Sequence, residues 1–335
     1  MTTTLPHDQR LHAISPKAYE HPADRAATAA LKSIPMLDAV VRRLIEYGYE
    51  RALRQELLAA SVRLGPDQLP DVYTSHRAAL ARLDLDEDHD LYLTQFPITN
   101  AAAIGSGKPV VLVNSRTVEL LDDMELRTVL GHEAGHILSD HVLYRTALII
   151  LLNVSGIGRM PLMMGLPLIA VRMALLEWFR AAELSCDRAA TLVNRDPLIT
   201  CRTLMVIAGG AASRRLNLDA FIRQAGDYRD TEWGFDRIAR LRLELAPAHP
   251  IPVKRVHEVM EWVRSGEYDR IAAGEYMRRG EEPPARDDAG DAVEFYAERF
   301  RRFFKDAGAG VATAGDKFAD AASKVSDWLR TGKAS

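Results

Sequence analysis

A short motif with two histidines and a glutamate has the residue types of a hydrolytic metal site. The sequence His132-Glu-Ala-Gly-His136 places two imidazoles four residues apart. On an α-helix, residues i and i+4 lie on one face about 6 Å apart, so both rings can reach one Zn²⁺. Glu133 borders the same site and can take a proton from zinc-bound water and return it to a leaving amine.

A catalytic zinc site also needs a third protein ligand, and two downstream patterns can be compared with the sequence. The metzincin pattern requires Gly and His where this chain has Ser139 and Val142. The gluzincin pattern requires a Glu on a later helix and an acid one turn further on, and Glu183-Leu-Ser-Cys-Asp187 supplies both. Glu183 is therefore the candidate third ligand. Asp187 can accept the free N–H of a ligating histidine and fix its tautomer.

Two neighbouring residues are weaker candidates. Cys186 is three residues from Glu183, but a catalytic zinc keeps its fourth position for water, so we expect a small buried residue there. His141 is five residues after His136, which turns it away from the ligand face of a helix. It is expected either behind a ligand or at the surface.

Composition narrows the function and the compartment. The chain has 335 residues, 47% of them hydrophobic, and its 43 Lys and Arg against 46 Asp and Glu give a net charge of −3. No basic surplus exists to bind a phosphate backbone, so nucleic acid is an unexpected partner. Two cysteines and the lack of an apolar signal segment over residues 1–19 favour a reducing, cytoplasmic compartment.

Hydrophobic periodicity predicts a mostly helical chain with one strand-rich interval. The strand formers lie in Leu91–Phe96 and Pro109–Asn114, which we interpret as a hairpin or as two neighbouring strands. The helical patterns span Ile34 to Leu64, Leu69 to Leu83, Met124 to Arg145 as one helix, Leu168 to Asn194 with Pro167 in its first turn, and about 197–225 and 252–265.

These elements predict an α+β, mostly helical fold, with a small sheet beside the active-site helix and ligands from two long helices. Composition predicts four parts of the chain. They are a loose polar arm (1–33), a catalytic domain (34–275), a linker (276–290) and an amphipathic helical tail (291–335).

Two apolar segments bear on membrane contact. The hairpin 146–178 holds runs too short to span a bilayer, interrupted by Arg159 and Arg172, so burial is the expected outcome and immersion in a bilayer the alternative. The tail helix over 291–330 fits packing on the core or on a partner, with a membrane-surface helix as the alternative. Either segment could make the protein peripheral to the inner face of a membrane.

The combination of motifs resembles the HtpX-like and CAAX-prenyl-protease-like zinc metallopeptidases, peptidase family forty-eight of the gluzincin type. The resemblance covers about Gly65 to Arg255. The matching stretches are Leu91-Tyr-Leu, Asn100-Ala101, Glu125 to His136, Arg180 to Asp187, and His249-Pro250 with Arg255 five residues on.

The resemblance implies one zinc per chain, held by His132, His136 and Glu183, with Glu133 as general base and Asp187 as an outer carboxylate. The turn at Asn100 and the strand Pro109–Asn114 would border the substrate cleft.

It also implies a role for His249, which either caps the metal in a latent enzyme or steadies the tetrahedral intermediate. A loop histidine without special role is the alternative. Better-known members carry N-terminal membrane spans that this chain lacks.

The expected function is a zinc-dependent metalloendopeptidase acting on protein or peptide substrates. Two alternatives remain open. One is a non-catalytic zinc-binding scaffold with a chaperone-like role, against which the intact Glu133 argues. The other is a latent enzyme, in which His249 covers the zinc until a partner displaces it.

Overall fold

The computed structural model describes residues 10–32, 42, 45, 50–95, 101–105, 107–153, 162–230 and 251–282. Over these ranges the chain is mostly helical and carries a small mixed sheet, which confirms the predicted α+β, mostly helical class. The predictions for Asn100, His249 and the 291–330 tail lie outside the described residues.

The elements are numbered here in chain order. The strands are β1 (Val62–Arg63), β2 (Leu91–Thr94), β3 (Ala101–Ile104) and β4 (Val110–Asn114). The first helices are α1 (Pro22–Lys32), α2 (Glu50–Ala60), α3 (Pro70–Arg82), α4 (Ser115–Leu120), α5 (Asp123–Leu138) and α6 (His141–Asn153). The later ones are α7 (Leu162–Asn194), α8 (Pro197–Gly209), α9 (Leu218–Asp230), α10 (Pro252–Arg264) and α11 (Glu267–Ala272), with short 3₁₀ helices at Pro16–Ala18 and Gly210–Arg215.

The sheet has the order β1-β2-β4-β3. β2 and β4 are parallel neighbours with Leu91 opposite Val111, so the two predicted strands do not form a hairpin. The chain between them adds β3, which pairs antiparallel with the far side of β4. Sequence analysis missed β3 because its residues, Ala101-Ala-Ala-Ile104, include three alanines with little strand preference.

Helix α5 carries the His-Glu-x-x-His motif and has a strong start signal. The carboxylate of Asp122 accepts from the Met124 and Glu125 amides, and the Glu125 side chain accepts from the Asp122 amide. This capping box satisfies backbone donors that the first turn would otherwise leave unpaired. The motif itself lies in the buried second half of the helix.

The helix ends earlier than its periodicity suggests. The prediction of one helix from Met124 to Arg145 is wrong, because the chain turns after Leu138 with Asp140 in the left-handed region at φ 55°. A new helix, α6, begins at His141. The short polar pair Ser139-Asp140 suits a turn, since Asp tolerates this backbone conformation better than most residues.

Helix α7 lies directly against α5, and two glycines of α5 allow that approach. A Cβ at Gly135 would lie 2.7 Å from the Cβ of Ala189, and one at Gly131 would lie 3.0 Å from the Cβ of Val193. The first separation is shorter than real Cβ atoms essentially ever show, and the second would require Val193 to shift by a few tenths of an ångström. At Gly135 the two helices that carry the candidate ligands are therefore closer than a side chain would permit.

Two further helix predictions change in their bounds. Helix α7 begins at Leu162, so Pro167 lies inside the helix and not in its first turn. The predicted helix over about 197–225 is divided into α8, a 3₁₀ turn and α9, with Gly210 at φ 60° in the break. Among the described residues, no helix combines the length and the apolar character needed to cross a bilayer.

The first described segment is part of the domain and not a loose arm, which corrects the expectation for residues 10–32. Ile14 is fully buried and pairs in a β-bridge with Arg278. The Ser15 amide donates to the Met277 carbonyl, and the Arg279 amide donates to the Ala13 carbonyl. The start of the predicted 276–290 linker is therefore ordered against this segment, because each supplies the other's backbone partners.

Candidate active site

The two histidines of α5 and one glutamate of α7 converge on a single point. His132 Nε2 and His136 Nε2 lie 3.2 Å apart, and Glu183 Oε1 lies 3.2 Å from His136 Nε2 and 3.5 Å from His132 Nε2. Ligands about 2.0–2.2 Å from a tetrahedral metal are separated by roughly 3.3–3.6 Å. The three atoms thus have the spacing and the chemistry of one face of a metal site.

Burial makes this arrangement unusual for polar groups without a shared ion. The side chains of His136 and Glu183 are completely inaccessible, and that of His132 is 9% exposed. Burial is the main cause that lowers the pKa of His136 to about 3, and the charges of Arg145 and His132 add to it against the opposing contact with Glu183, so this ring is neutral at ordinary pH. Burial also acts against charge on His132, but Glu183 and Asp187 outweigh it and raise the pKa of His132 to about 9.

Asp187 lies one turn after Glu183 on α7, on the outer side of His132. Its Oδ1 is 3.2 Å from His132 Nδ1, which leaves Nε2 of that ring facing Glu183. Burial would raise the pKa of Asp187, but the Arg255 guanidinium more than offsets it and holds the pKa of that carboxyl below its usual range. Asp187 therefore stays ionised and can orient His132.

Arg255 of α10 completes this side of the site. Its Nη1 lies 3.4 Å from Glu183 Oε2, and it makes two hydrogen bonds to Asp187. The guanidinium is buried, where a charge is tolerated only with such partners. A small cavity of about 30 Å³ opens in front of the cluster, lined in part by His132, Glu133 and Glu183. This volume holds a water molecule by size.

Glu133 is fixed by two donors from other elements. Its Oε2 accepts from the Ala103 amide of β3 at 2.6 Å and from Arg145 Nη1 of α6 at 2.9 Å. Burial would raise the pKa of Glu133, but Arg145 and the two motif histidines outweigh it and lower that pKa. The carboxylate is thus charged, buried and oriented at the edge of the metal-binding face.

Cys186 lies behind His136 and not on the face formed with Glu183. His132, His136 and Cys186 do have potential ligand atoms within 4.8 Å of one another. Glu183 Oε1 lies 3.5 and 3.2 Å from Nε2 of His132 and His136, whereas the hydrogen-bond partner of Cys186 Sγ is His141 Nδ1, at 3.6 Å. Burial raises the pKa of this thiol well above its usual value, which disfavours the thiolate that a metal requires. The carboxylate set fits a metal better.

The structure thus brings together five of the predicted site residues, namely His132, Glu133, His136, Glu183 and Asp187. His249 lies outside the described residues, so its prediction stays open. Sequence reasoning missed Arg145, which reaches Glu133 only because the helix breaks before it. It also missed the Ala103 amide, which carries no side-chain signal.

Comparison with known proteins gives a consistent result. A sequence model of peptidase family M48 matches residues 68–263, which is more than half of the chain. The chain is also 36% identical over 262 residues to the plastoglobule-localized metallopeptidase 48, chloroplastic, of Arabidopsis thaliana, covering 76% of this chain and 74% of the relative. No solved structure matches this chain. On the extent of both matches, the chain belongs to peptidase family M48.

Proposed function

We propose that this metallopeptidase-family protein is a zinc-dependent endopeptidase with one zinc per chain. His132, His136 and Glu183 would hold the metal, and the observation that carries this is the buried triangle of their Nε2 and Oε1 atoms, 3.2–3.5 Å on each side. Two imidazoles that bind through a deprotonated Nε2, together with one carboxylate, are a donor set typical of catalytic zinc. Structural zinc sites instead use four Cys or His ligands.

Zinc bound at this face would supply a Lewis acid that lowers the pKa of a water toward 7 and polarises a carbonyl oxygen. Glu133 takes the proton of the attacking water and returns it to the departing amine. The Ala103 amide and Arg145 hold its Oε2, so the carboxylate does not need to reorganise before it accepts a proton. Asp187 holds His132 in the tautomer that leaves Nε2 for the metal.

Protein or peptide substrates follow from the family. His249 remains a candidate for capping the metal or for steadying the oxyanion. We also infer a cytoplasmic location, with membrane contact confined to the 146–178 segment or the 291–330 tail. The named relative is a plastoglobule-localized protein of chloroplasts, which gives membrane contact a reason to be tested.

The test is cleavage of a mixed peptide library by the zinc-loaded full chain, with products identified by mass spectrometry. Glu133→Gln should retain zinc and lose cleavage, because the amide cannot act as a base. Glu119→Gln is the matched control, since Glu119 is exposed on α4 and its carboxylate pairs with Arg116. Cuts inside the peptides would establish an endopeptidase.

Cleavage by Glu133→Gln at the wild-type rate would refute the proposed base. His136→Ala with full zinc content would refute the ligand assignment. If the wild-type chain binds zinc but cleaves no peptide, a scaffold or a latent enzyme becomes the better account. Activity gained by His249→Ala would then identify latency.

A further inference from the structure

The ring of His136 contacts a second buried group on its far side. Its Nδ1 lies 3.3 Å from Nδ1 of His141, the first residue of α6. The Nε2 of His141 in turn lies 3.1 Å from Oδ2 of Asp24, which belongs to α1. All three residues are at most 1% exposed. A carboxylate, an imidazole and the candidate ligand therefore form a continuous buried row.

Asp24 is held in place by two hydroxyl groups. Ser185 Oγ donates to its Oδ2 at 2.6 Å, and Thr28 Oγ1 donates to its Oδ1 at 3.1 Å. Burial would raise the pKa of Asp24, but His141 and these hydroxyls outweigh it and lower that pKa. The Trp178 indole donates to Thr28, which attaches α1 to α7 at the same place. Asp24 is thus a fixed negative charge.

The order of protons along the row follows from what a metal requires. A ligating Nε2 must be free of its proton, so His136 must carry its proton on Nδ1. That N–H can then donate to Nδ1 of His141, whose own proton must be on Nε2. The Nε2 of His141 faces the charge of Asp24. The Nε2–H of His141 is not aligned for a hydrogen bond to Asp24. The carboxylate charge of Asp24, 3.1 Å away, nevertheless favours the proton on Nε2 of His141.

One other group competes for the same nitrogen. Cys186 Sγ lies 3.6 Å from His141 Nδ1, and its thiol is protonated because burial raises its pKa. An S–H is a weak donor, so it does not displace the N–H of His136 as the partner of His141. It is also compatible with the proton order above, since it too requires His141 Nδ1 to accept.

We propose that Asp24 is a positioning residue of the candidate metal centre, acting through His141 to hold His136 with Nε2 toward Glu183. This rests on the proposed function, in which His136 is a ligand. Asp24 precedes residues 68–263, the segment that the family model matches. Helix α1, outside that segment, would therefore contribute to the metal centre. Outer partners of ligating histidines commonly have this effect on metal binding.

The experiment measures zinc affinity and histidine tautomers in the full chain. Zinc affinity is read by competition with a chromophoric chelator, and tautomers are read by ¹⁵N NMR of the metal-free, histidine-labelled protein. Asp24→Asn removes the charge at nearly constant shape. An amide can donate or accept, so it no longer selects one tautomer of His141. His21→Asn is the matched control, because the His21 ring contacts Glu258 of α10 and accepts from the Ala23 amide, and asparagine keeps an acceptor at the start of α1.

The wild-type chain should show His141 protonated on Nε2 and His136 on Nδ1. Asp24→Asn should mix the His141 tautomers and weaken zinc binding about 10- to 100-fold, whereas His21→Asn should stay within about twofold of wild type. If Asp24→Asn does not fold, His141→Gln should show the same loss of affinity. The tautomers of the wild-type protein test the proposal without any variant.

Two results would overturn the proposal. One is a wild-type His141 protonated on Nδ1. The other is Asp24→Asn with a lower melting temperature but unchanged zinc affinity and tautomers, which would make Asp24 a residue that only docks α1. A wrong assignment of His136 as a ligand gives a distinguishable result, because His136→Ala would then bind zinc as tightly as the wild-type chain.

Discussion

Arg255 binds both carboxylate oxygens of Asp187. Its Nη2 donates to Oδ1 at 2.6 Å and its Nε donates to Oδ2 at 2.7 Å. Because Asp187 Oδ1 also faces Nδ1 of His132, this pair connects α10 to the candidate metal ligands of α5. A residue more than 100 positions after the histidine motif thereby fixes the direction of its first imidazole.

Arg255→Lys should weaken zinc binding by about 10- to 100-fold. An ammonium keeps the charge but cannot make the paired, planar contact with both oxygens of Asp187. Chelator competition on the full chain measures the change. Arg264→Lys is the control from the same helix, since Arg264 forms only an exposed pair with Glu261 and should have little effect. Equal zinc affinity in both variants would contradict the prediction.

Arg145 and Glu133 should behave as a mutually dependent buried pair. Arg145→Met should lower the free energy of unfolding of the metal-free protein by about 3–5 kcal/mol, because it leaves the Glu133 carboxylate buried without its cation. Adding Glu133→Gln should recover much of that loss. Urea unfolding of the single and double variants measures the coupling, and strictly additive losses would argue against it.

Gly135→Ala should be destabilising although alanine favours helices. The new Cβ would meet the Cβ of Ala189 at 2.7 Å and force α5 and α7 apart. Overpacking of this kind costs about 1–3 kcal/mol. The matched control is Gly226→Ala in α9, where a Cβ meets nothing within 4 Å, and it should stabilise by about 0.4–1 kcal/mol. Melting curves that move in the same direction for both variants would disprove the close-contact explanation.

His76 should make the protein less stable in mild acid. Burial lowers the pKa of this histidine from 6.5 to about 4, and its Nε2 contacts the His89 carbonyl at 2.9 Å. Between pH 6.5 and 4, His76 binds a proton in the unfolded chain but not in the folded chain. The contribution of neutral His76 to the free energy of unfolding is therefore present above pH 6.5 and is lost as pH falls toward 4. The loss amounts to about 3 kcal/mol at 1.36 kcal/mol per pKa unit.

The corresponding variant is His76→Gln, which retains a donor for the His89 carbonyl and does not titrate. Its free energy of unfolding, measured in urea at several pH values, should fall less steeply than that of the wild-type chain between pH 6.5 and 4. Parallel curves for the two proteins would show that His76 does not account for the acid sensitivity.

The sequence carries the ligand set because that information is local. His132 and His136 are one helical turn apart, and so are Glu183 and Asp187, and helical periodicity predicts the shared face in both cases. The strand residues around Leu91 and Val111 were also recognisable from their composition. What remained undetermined was how the two helices and the sheet meet.

The residues that sequence reasoning missed act across long separations or through the backbone. Arg145 reaches Glu133 only because the helix breaks at Asp140, since 12 residues of one continuous helix would separate them by about 18 Å. Hydrophobic periodicity does not reveal such a break at a single turn residue. Asp24 lies in a polar segment that has no motif of its own. Ala103 contributes a backbone amide, which any residue type other than proline could supply.

The bridge between Ile14 and Arg278 has a consequence for the order of events during synthesis. The two residues are separated by 264 positions, as are Tyr276 and His12, which also share a hydrogen bond. At translation rates of about 5–20 residues per second, the partner of Ile14 emerges roughly 13–53 s after it. Ile14 therefore leaves the ribosome long before its bridge partner, and this bridge closes only after every candidate ligand has been made.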